Sequence, residues 1–198
     1  ILFSGSSKDS IDFVTPLLTA TGSGRYKLDV PGNRRTYYFL ETDEGTALLA
    51  ERQLPMAGGF NFRDLGGIRN KDGKYTQWGK IFRSDDMHNL TDEDLTYLAS
   101  IPIVSVVDFR SVQEIEASRD VLPASVKNDY AYSIVPGNLT INGDSIGNMQ
   151  AAQLDSMMMQ MNISFVTDSA YYNRYKDFFA LLMDDSKVPL MFHCTAGK

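Results

Sequence analysis

One apolar run constrains the fold of this chain more than any other feature. The run IVSVVDF, residues 103–109, is almost continuous in apolar side chains, as is typical of a strand buried on both faces. It lies between two helix starts, because Thr91 stands three residues before Asp94 and Ser111 three residues before Glu114, in the pattern of capping boxes. A buried strand between two helices indicates parallel pairing through helical crossovers.

The same alternation of strands and helices continues to the end of the sequence. NDYAYSIV (128–135) and Val188–Phe192 are predicted strands, and two helices are predicted between about 146 and 184, the first rich in methionine and the second carrying an aromatic stripe. We therefore predict an α/β domain over residues 55–198, with a central, mostly parallel sheet flanked by helices.

Residues 1–54 have a different pattern and predict a small β-rich module. Its three predicted strands are Arg25–Val30, Arg34–Glu41 and Thr46–Ala50. The turn sequences PGN and DEG separate them. Three short strands form a poor independent core, so we expect this module to pack on the domain that follows.

Composition excludes several classes of function. The 198 residues carry a net charge of −6, which argues against a nucleic-acid binder, because such a protein needs a basic surface. No apolar run approaches the roughly 20 residues that span a bilayer. One cysteine cannot form an internal disulfide, and with two histidines far apart in sequence no metal-ligand spacing is present. No metal and no cofactor are expected, and the oligomeric state is left open.

The stretch VPLMFHCTAGK (188–198) carries the candidate chemistry. Its predicted strand runs into Cys194, and open parallel sheets place their reacting groups at the carboxyl ends of strands. If a helix follows, the backbone amides after the cysteine form an anion cradle, whose positive field favours a thiolate able to attack phosphorus. The predicted phosphate-binding residues are Thr195, Ala196, Gly197 and Lys198.

This stretch has two other interpretations. A lone cysteine at a strand end is commonly a small buried core residue, but here small and polar residues follow instead of more core. A nucleotide-binding P-loop would need a glycine where Phe192 stands, so the Gly-Lys pair does not indicate one.

Four segments together resemble a known family. HCTAGK resembles the opening of His-Cys-x-x-Gly-Lys-Asp-Arg-Thr-Gly, the active-site loop of a bacterial branch of cysteine-dependent protein tyrosine phosphatases, the atypical tyrosine/serine and phosphoinositide phosphatases. Upstream, NFRDLGG (61–67) is followed by WGKIFRSDDMHNLTDEDLTYLAS (78–100) and VVDFRSVQEIE (106–116) in the order and spacing of the same family. The resemblance covers roughly residues 55–198.

The resemblance implies a two-step hydrolysis through a phosphocysteine on Cys194. The family's phosphate-gripping arginine would fall two positions beyond Lys198, so we interpret the chain as cut inside its active-site loop. The candidates for the general acid are Asp108 and the acidic residue that the family has in the part of the loop beyond Lys198. The alternative for Asp108 is an ion pair with Arg110 or Arg63. The residues expected to support the loop are His193, which would orient the cysteine backbone, and Arg63, Asp64 and Arg110.

The resemblance also implies substrates and partners. A phosphorylated tyrosine or serine peptide (dual specificity) and a phosphoinositide are both predicted substrates, and inorganic phosphate or sulfate is expected to occupy the loop. The methionine-rich helix is interpreted either as a lid over the active site or as an ordinary core helix. Its methionines are Met149, Met157, Met158, Met159 and Met161. Because the chain begins at Ile1, we favour a secreted or periplasmic protein with its signal removed over a cytoplasmic one.

Two rival functions remain at this point. A rhodanese-like sulfurtransferase also uses a strand, a cysteine, a loop and a helix, but its arginine lies five residues after the cysteine instead of six. A catalytically inactive module that binds phosphorylated ligands is the second rival. NFRDLGG and VVDFRS favour the phosphatase over both.

Overall fold

The computed structural model describes residues 1–134 and 150–197. Its first sheet lies in the N-terminal part of the chain, has strand order β2-β1-β3-β4, and is antiparallel throughout. The strands of this sheet are β1 (Leu2–Gly5), β2 (Ile11–Asp12), β3 (Tyr37–Thr42) and β4 (Gly45–Ala50).

A second sheet, with order β5-β6-β9-β7-β8, forms the centre of the α/β domain. Its strands are β5 (Arg63–Asp64), β6 (Ile81–Ser84), β7 (Ser105–Asp108), β8 (Asn128–Ala131) and β9 (Leu190–His193). Strands β6, β9, β7 and β8 are parallel, and only the short edge strand β5 is antiparallel to its neighbour. The sheet is therefore mixed, and the α/β prediction is confirmed in this broader form.

Four helices are described: α1 (Asp92–Ala99), α2 (Val112–Ala117), α3 (Ala151–Thr167) and α4 (Ser169–Leu182). Both predicted capping boxes are present. The Thr91 side chain accepts from the backbone N–H of Asp94 at 3.2 Å, and the Asp94 carboxylate accepts from the backbone N–H of Thr91 at 3.0 Å. Ser111 and Glu114 make the same reciprocal pair at the start of α2.

The core lies on both faces of the central sheet. On one face, Phe82 and Met191 pack with Leu98 of α1, and all three side chains are fully buried. On the other face, Val107 and Leu190 pack with Phe178 of α4. Because β9 is covered on both sides, its carboxyl end, where Cys194 follows, is held by a rigid scaffold.

The N-terminal sheet is joined to the α/β domain by a buried ion pair. Nη2 of Arg35 donates to Oδ2 of Asp64 at 2.7 Å, and both side chains are completely buried. The backbone N–H of Arg35 also donates to Oγ of Ser100, at the end of α1, at 2.8 Å. The segment just before β3 thus packs on β5 of the second sheet and on the end of α1, whereas a division of the chain at residue 54 stays a prediction.

One strand prediction in this module is wrong. Residues 25–30 form no strand and are mostly exposed, although they alternate like one, because both edges of β3 pair with other strands, β1 and β4. The strand predicted over 46–50 is confirmed as β4, and that over 34–41 begins only at Tyr37 as β3. Strands β1 and β2 were not predicted.

Helix α3 is not a core helix, because none of its residues is buried. Met158 and Met159 are about half exposed, and the packing of α3 is against α4. The core interpretation of the methionine-rich segment is therefore wrong, whereas the lid remains a prediction. Met149 lies outside the described residues.

None of the described helices combines the length and the hydropathy needed to cross a membrane.

Candidate active site

Cys194 lies at the carboxyl edge of the central sheet, as predicted. His193 is in register with Ser84 of β6 and with Asp108 of β7, so three parallel strands end at the same level. Cys194 is the next residue and lines a cavity of about 190 Å³. The other lining residues are Arg83, Ser84, Phe109, Ile134, Tyr175, Phe192, His193 and Gly197.

The loop after the cysteine turns back against the end of β6. Gly197 has a φ of 66°, and a Cβ at this position would lie 2.6 Å from the backbone of Ser84 and Asp85. Only glycine fits such a contact in the left-handed region. Within the described part of the chain, the backbone amides of Thr195, Ala196 and Gly197 donate to no protein acceptor. Lys198 lies outside the described residues.

The NFRDLGG segment holds the carbonyl groups of this loop. Nδ2 of Asn61 donates to the carbonyl of Ala196 at 2.8 Å. Nη2 of Arg63 donates to the carbonyl of Gly197 at 3.3 Å, so the loop-bracing role predicted for Arg63 agrees with its contacts. With the carbonyls engaged on this side, the amides of the loop remain available to an anion.

Arg83 also binds the carbonyl group of Gly197. Its Nη2 donates to the carbonyl of Gly197 at 2.8 Å, beside Arg63. Burial, followed by the positive charge of Arg83, lowers the pKa of Arg63. In the described part of the chain neither guanidinium forms an ion pair with a carboxylate, so positive charge is concentrated next to the cysteine.

Asp64, in contrast, does not touch the loop. Besides pairing with Arg35, it accepts from the backbone N–H groups of Gly66 at 2.7 Å and Gly79 at 2.8 Å. Burial raises the pKa of Asp64, although these two hydrogen bonds and Arg35 act in the opposite direction. Its supporting role is therefore between the two sheets.

Asp108 forms the ion pair that was the alternative to a general-acid role. Its carboxylate accepts from Nε of Arg110 at 3.0 Å and from Nη2 at 2.8 Å, and the Asp108 side chain is almost completely buried. Arg110 also pairs with Asp120 at 2.6 Å. Although burial opposes the charge of Arg110, its carboxylate partners raise its pKa. The acid role of Asp108 stays a prediction that this geometry does not favour.

His193 is buried behind the loop. Its Nδ1 lies 3.3 Å from the carbonyl of Cys194, as expected for a residue that orients the cysteine backbone. Its Nε2 lies 3.4 Å from Oδ2 of Asp120, in a charge contact that falls short of well-aligned hydrogen-bond geometry. Ligand atoms of Asp108, Asp120 and His193 come within 4.8 Å of one another. Because Arg110 donates to both carboxylates, we interpret this cluster as an ion-pair network and not as a metal site.

Thr195 is tied to α2. Its Oγ1 donates to Oε1 of Glu114 at 2.6 Å. Burial opposes the charge of Glu114, but the hydrogen bonds from Thr195 and Ser111 outweigh it and lower the pKa of Glu114. Glu114, which completes the capping box of α2, therefore also holds Thr195, the first residue after the cysteine.

Sequence reasoning missed three residues that contact the loop or its supports: Asn61, Glu114 and Asp120. For Arg83 the sequence leaves both a loop-bracing and a structural role open. Asn61 and Arg83 belong to motifs of the family, but nothing local indicates which side chain reaches the loop. Glu114 was predicted only as a cap. Asp120 follows α2 without any recognisable pattern, so its contact with His193 was not accessible from the sequence.

The family comparison agrees with this arrangement. Residues 54–198 match the sequence model of the tyrosine phosphatase family, which covers well over half of the chain. The chain belongs to the tyrosine phosphatase family.

A curated relative of this chain carries a tyrosine phosphatase name as well. The chain is 28% identical over 142 residues to the "Putative tyrosine-protein phosphatase" of Cupriavidus necator. The match covers 70% of this chain and 50% of that relative, so the chain spans about half of the relative's length.

Proposed function

We propose that this chain is the catalytic part of a phosphomonoester hydrolase that acts through a phosphocysteine on Cys194. The observation that carries the proposal is the position of Cys194 beside a cavity of about 190 Å³ at the end of β9, in a loop whose carbonyl groups are engaged by Asn61, Arg63 and Arg83. A loop that presents free amides next to a cysteine is suited to bind a phosphoryl group.

The reaction proceeds in two displacement steps. The Cys194 thiolate attacks phosphorus, the S–P bond forms, and the P–O bond to the substrate breaks. The leaving oxygen takes a proton from an acid, which can be Asp108 only if that carboxylate first separates from Arg110. Water then attacks phosphorus, releases inorganic phosphate and restores the thiolate.

The cavity favours a tyrosine phosphate among the predicted substrates. Phe109, Tyr175 and Phe192 form aromatic walls of the cavity beside the cysteine, and the rings of Phe109 and Phe192 pack edge to face with their centroids 6.2 Å apart. Such walls suit the ring of an aryl phosphate. We propose phosphotyrosine peptides as one substrate class and phosphoserine peptides as a second.

A phosphoinositide is the third proposed substrate class. Arg63 and Arg83 place two guanidinium groups at Gly197 that no described carboxylate neutralises. A headgroup with several phosphates would supply the missing negative charge. The proposal thus includes both protein and lipid phosphates.

Hydrolysis of p-nitrophenyl phosphate by the full-length protein tests the nucleophile. We expect Cys194→Ser to abolish turnover while circular dichroism remains unchanged, vanadate to inhibit the unsubstituted enzyme, and a cysteine-linked phosphate to be trapped by acid quenching. Activity that survives Cys194→Ser would exclude the assignment.

Substrate panels then separate the functions. Phosphotyrosine peptides, phosphoserine peptides and phosphoinositide micelles are compared by kcat/KM. Transfer of sulfur from thiosulfate to cyanide, without phosphatase activity, would instead indicate a rhodanese-like enzyme. Binding of phosphopeptides without turnover of any substrate would indicate an inactive binding module.

A further inference from the structure

A buried imidazole connects the cysteine loop to a carboxylate that the proposed mechanism does not use. The His193 side chain is completely buried. One of its nitrogens, Nδ1, faces the carbonyl oxygen of Cys194 at 3.3 Å, and the other, Nε2, faces Oδ2 of Asp120 at 3.4 Å. Two oxygen acceptors therefore flank one ring.

This arrangement bears on the protonation state of the ring. A neutral imidazole has one N–H donor and one bare acceptor nitrogen, so one of the two contacts would bring a nitrogen lone pair against an oxygen. Only the imidazolium can donate at both nitrogens. Because Nε2 faces a carboxylate oxygen while Nδ1 faces a carbonyl oxygen, the geometry around His193 favours the charged form.

Electrostatics agrees with the geometry. Burial opposes the imidazolium, but Asp120, followed by Asp108, outweighs it and raises the pKa of His193. Burial likewise opposes the charged form of Asp120, yet the contacts with His193 are among those that lower the pKa of that carboxyl. The charged groups that face His193 come from several elements around it, and they are Asp85, Asp108, Arg110, Asp120 and Asp129.

Asp120 is better placed than Asp108 to fix the ring. Oδ1 of Asp120 accepts from the backbone N–H of Met87 at 2.8 Å, and Oδ2 accepts from Arg110 at 2.6 Å, so the carboxylate cannot rotate away from His193. Asp108 lies farther from the ring, with 3.8 Å between its Oδ1 and Nδ1, and it is engaged by Arg110.

We propose that Asp120 is a positioning residue for Cys194, because it keeps His193 charged and its Nδ1–H directed at the Cys194 carbonyl. The proposal rests on the proposed function, in which Cys194 is the nucleophile. The hydrogen bond turns the carbonyl of Cys194 toward the protein interior. The imidazolium also adds positive charge beside the thiolate, which favours the ionised nucleophile.

The first test measures His193 directly. The 198 residues contain two histidines, His88 and His193, so in ¹³C-histidine NMR of the protein the signal that is lost in His193→Gln and kept in His88→Gln is assigned to His193. In the unsubstituted protein we expect His193 to titrate above the ordinary value of 6.5. Titration at or below this value would overturn the proposal without any substitution.

The second test removes the charge of Asp120. Asp120→Asn preserves the shape and the acceptor for Met87, and we expect it to lower the titration midpoint of His193 and to reduce kcat by about tenfold, since a charge-assisted contact is lost. The alkaline limb of the pH profile of kcat/KM should move to lower pH, and Asp120→Glu should restore it in part.

Asp94→Asn is the matched control. Asp94 is a buried carboxylate that accepts from the backbone of Ala57 and Gly58, and it has no contact with His193. We expect it to lower stability but to leave the His193 titration and the shape of the pH profile unchanged. If Asp120→Asn behaves like this control, Asp120 is merely structural.

The two proposals can fail separately. If Cys194→Ser retains activity, the proposed function fails, although the effect of Asp120 on the His193 titration can still be measured. If Cys194→Ser is inactive but Asp120→Asn leaves both the titration and the pH profile unchanged, only the positioning role is wrong.

Discussion

Nδ2 of Asn61 donates to the carbonyl oxygen of Ala196 at 2.8 Å, across 135 positions of sequence. Asn61 also has a φ of 57°, a conformation that asparagine tolerates better than most residues. The contact joins the first residue of NFRDLGG to the loop after Cys194. Two motifs that are distant in sequence therefore form one structural unit around the cysteine.

Asn61→Gly tests the contact without disturbing the backbone, because glycine accepts the positive φ. We expect kcat for p-nitrophenyl phosphate to fall by about tenfold, since the loop carbonyl loses its donor. Asn61→Asp should be at least as harmful, because a carboxylate oxygen would face the carbonyl of Ala196. Stability is measured in parallel by urea denaturation.

Asn162→Ala provides the control for Asn61. Asn162 also donates to a carbonyl, that of Met158 at 2.8 Å, but it lies on exposed α3. We expect no change in kcat. An equal loss of activity in both variants would show that the Asn61 contact has no particular role in the loop.

Thr195→Val tests the link between the loop and α2. The hydroxyl of Thr195 donates to the Glu114 carboxylate at 2.6 Å, and valine has a similar shape without the donor. We expect kcat to fall by roughly tenfold, because this exposed contact lies at the low end, about 1.5 kcal/mol, of what hydrogen bonds to charged groups contribute. The change should appear in kcat more than in global stability.

Ser111→Ala is the companion variant. It removes the N-cap of α2, at an expected cost of about 1 kcal/mol in the free energy of unfolding, and leaves the Thr195 contact in place. We expect the opposite pattern, with lower stability and nearly unchanged kcat. If Thr195→Val lowers stability and not kcat, the contact supports only the fold.

Helix starts and the buried strand could be predicted from the sequence, because they depend on residues that are close together in it. The Thr91–Asp94 and Ser111–Glu114 boxes became helix starts because each pair satisfies backbone donors within one turn. The apolar run 103–109 became the interior strand β7 (Ser105–Asp108) because both of its faces are covered. Such elements need no knowledge of distant residues.

Contacts between distant segments set the rest, and the sequence could not reveal them. Residues 25–30 alternate like a strand, yet β3 pairs instead with β1 and β4. Arg35 pairs with Asp64, and Asp120 approaches His193, only because the sheets and loops meet in three dimensions. The cysteine was predictable from its motif, whereas most of its supports were not.

Arg35→Met tests how much the Arg35–Asp64 ion pair contributes to the attachment of the N-terminal sheet to the central sheet. The substitution leaves Asp64 charged and fully buried without its cation, and breaking a buried ion pair in this way typically costs about 3–5 kcal/mol. We expect the free energy of unfolding in urea to fall by a few kcal/mol. Because neither residue touches the cysteine loop, kcat of the folded fraction should change little.

A double variant separates the pair from its surroundings. Arg35→Met combined with Asp64→Asn removes both charges, and the asparagine still offers an acceptor for the backbone N–H of Gly66 or Gly79. We expect it to be more stable than Arg35→Met alone. If the double variant is less stable than the single one, the uncompensated charge of Asp64 is not the cause of the loss.

The buried imidazolium makes stability depend on pH in a defined direction. Although burial opposes the charge of His193, Asp120 and Asp108 raise its pKa above the ordinary value of 6.5. A group whose pKa is raised by folding stabilises the folded state fully below its unfolded pKa, and this contribution disappears as the pH rises through the folded value. We therefore expect stability to decline from just above pH 6.5 upward.

Urea denaturation between about pH 6 and about pH 9 measures this decline. His193→Gln removes the titrating ring, so the difference in the free energy of unfolding between the unsubstituted protein and this variant should be largest at the acidic end and shrink as the pH rises. His88→Gln is the control, because it removes the other histidine and keeps His193. A difference for His193→Gln that is constant over the range would contradict a charged, ion-paired His193, since only a titrating group makes that difference depend on pH.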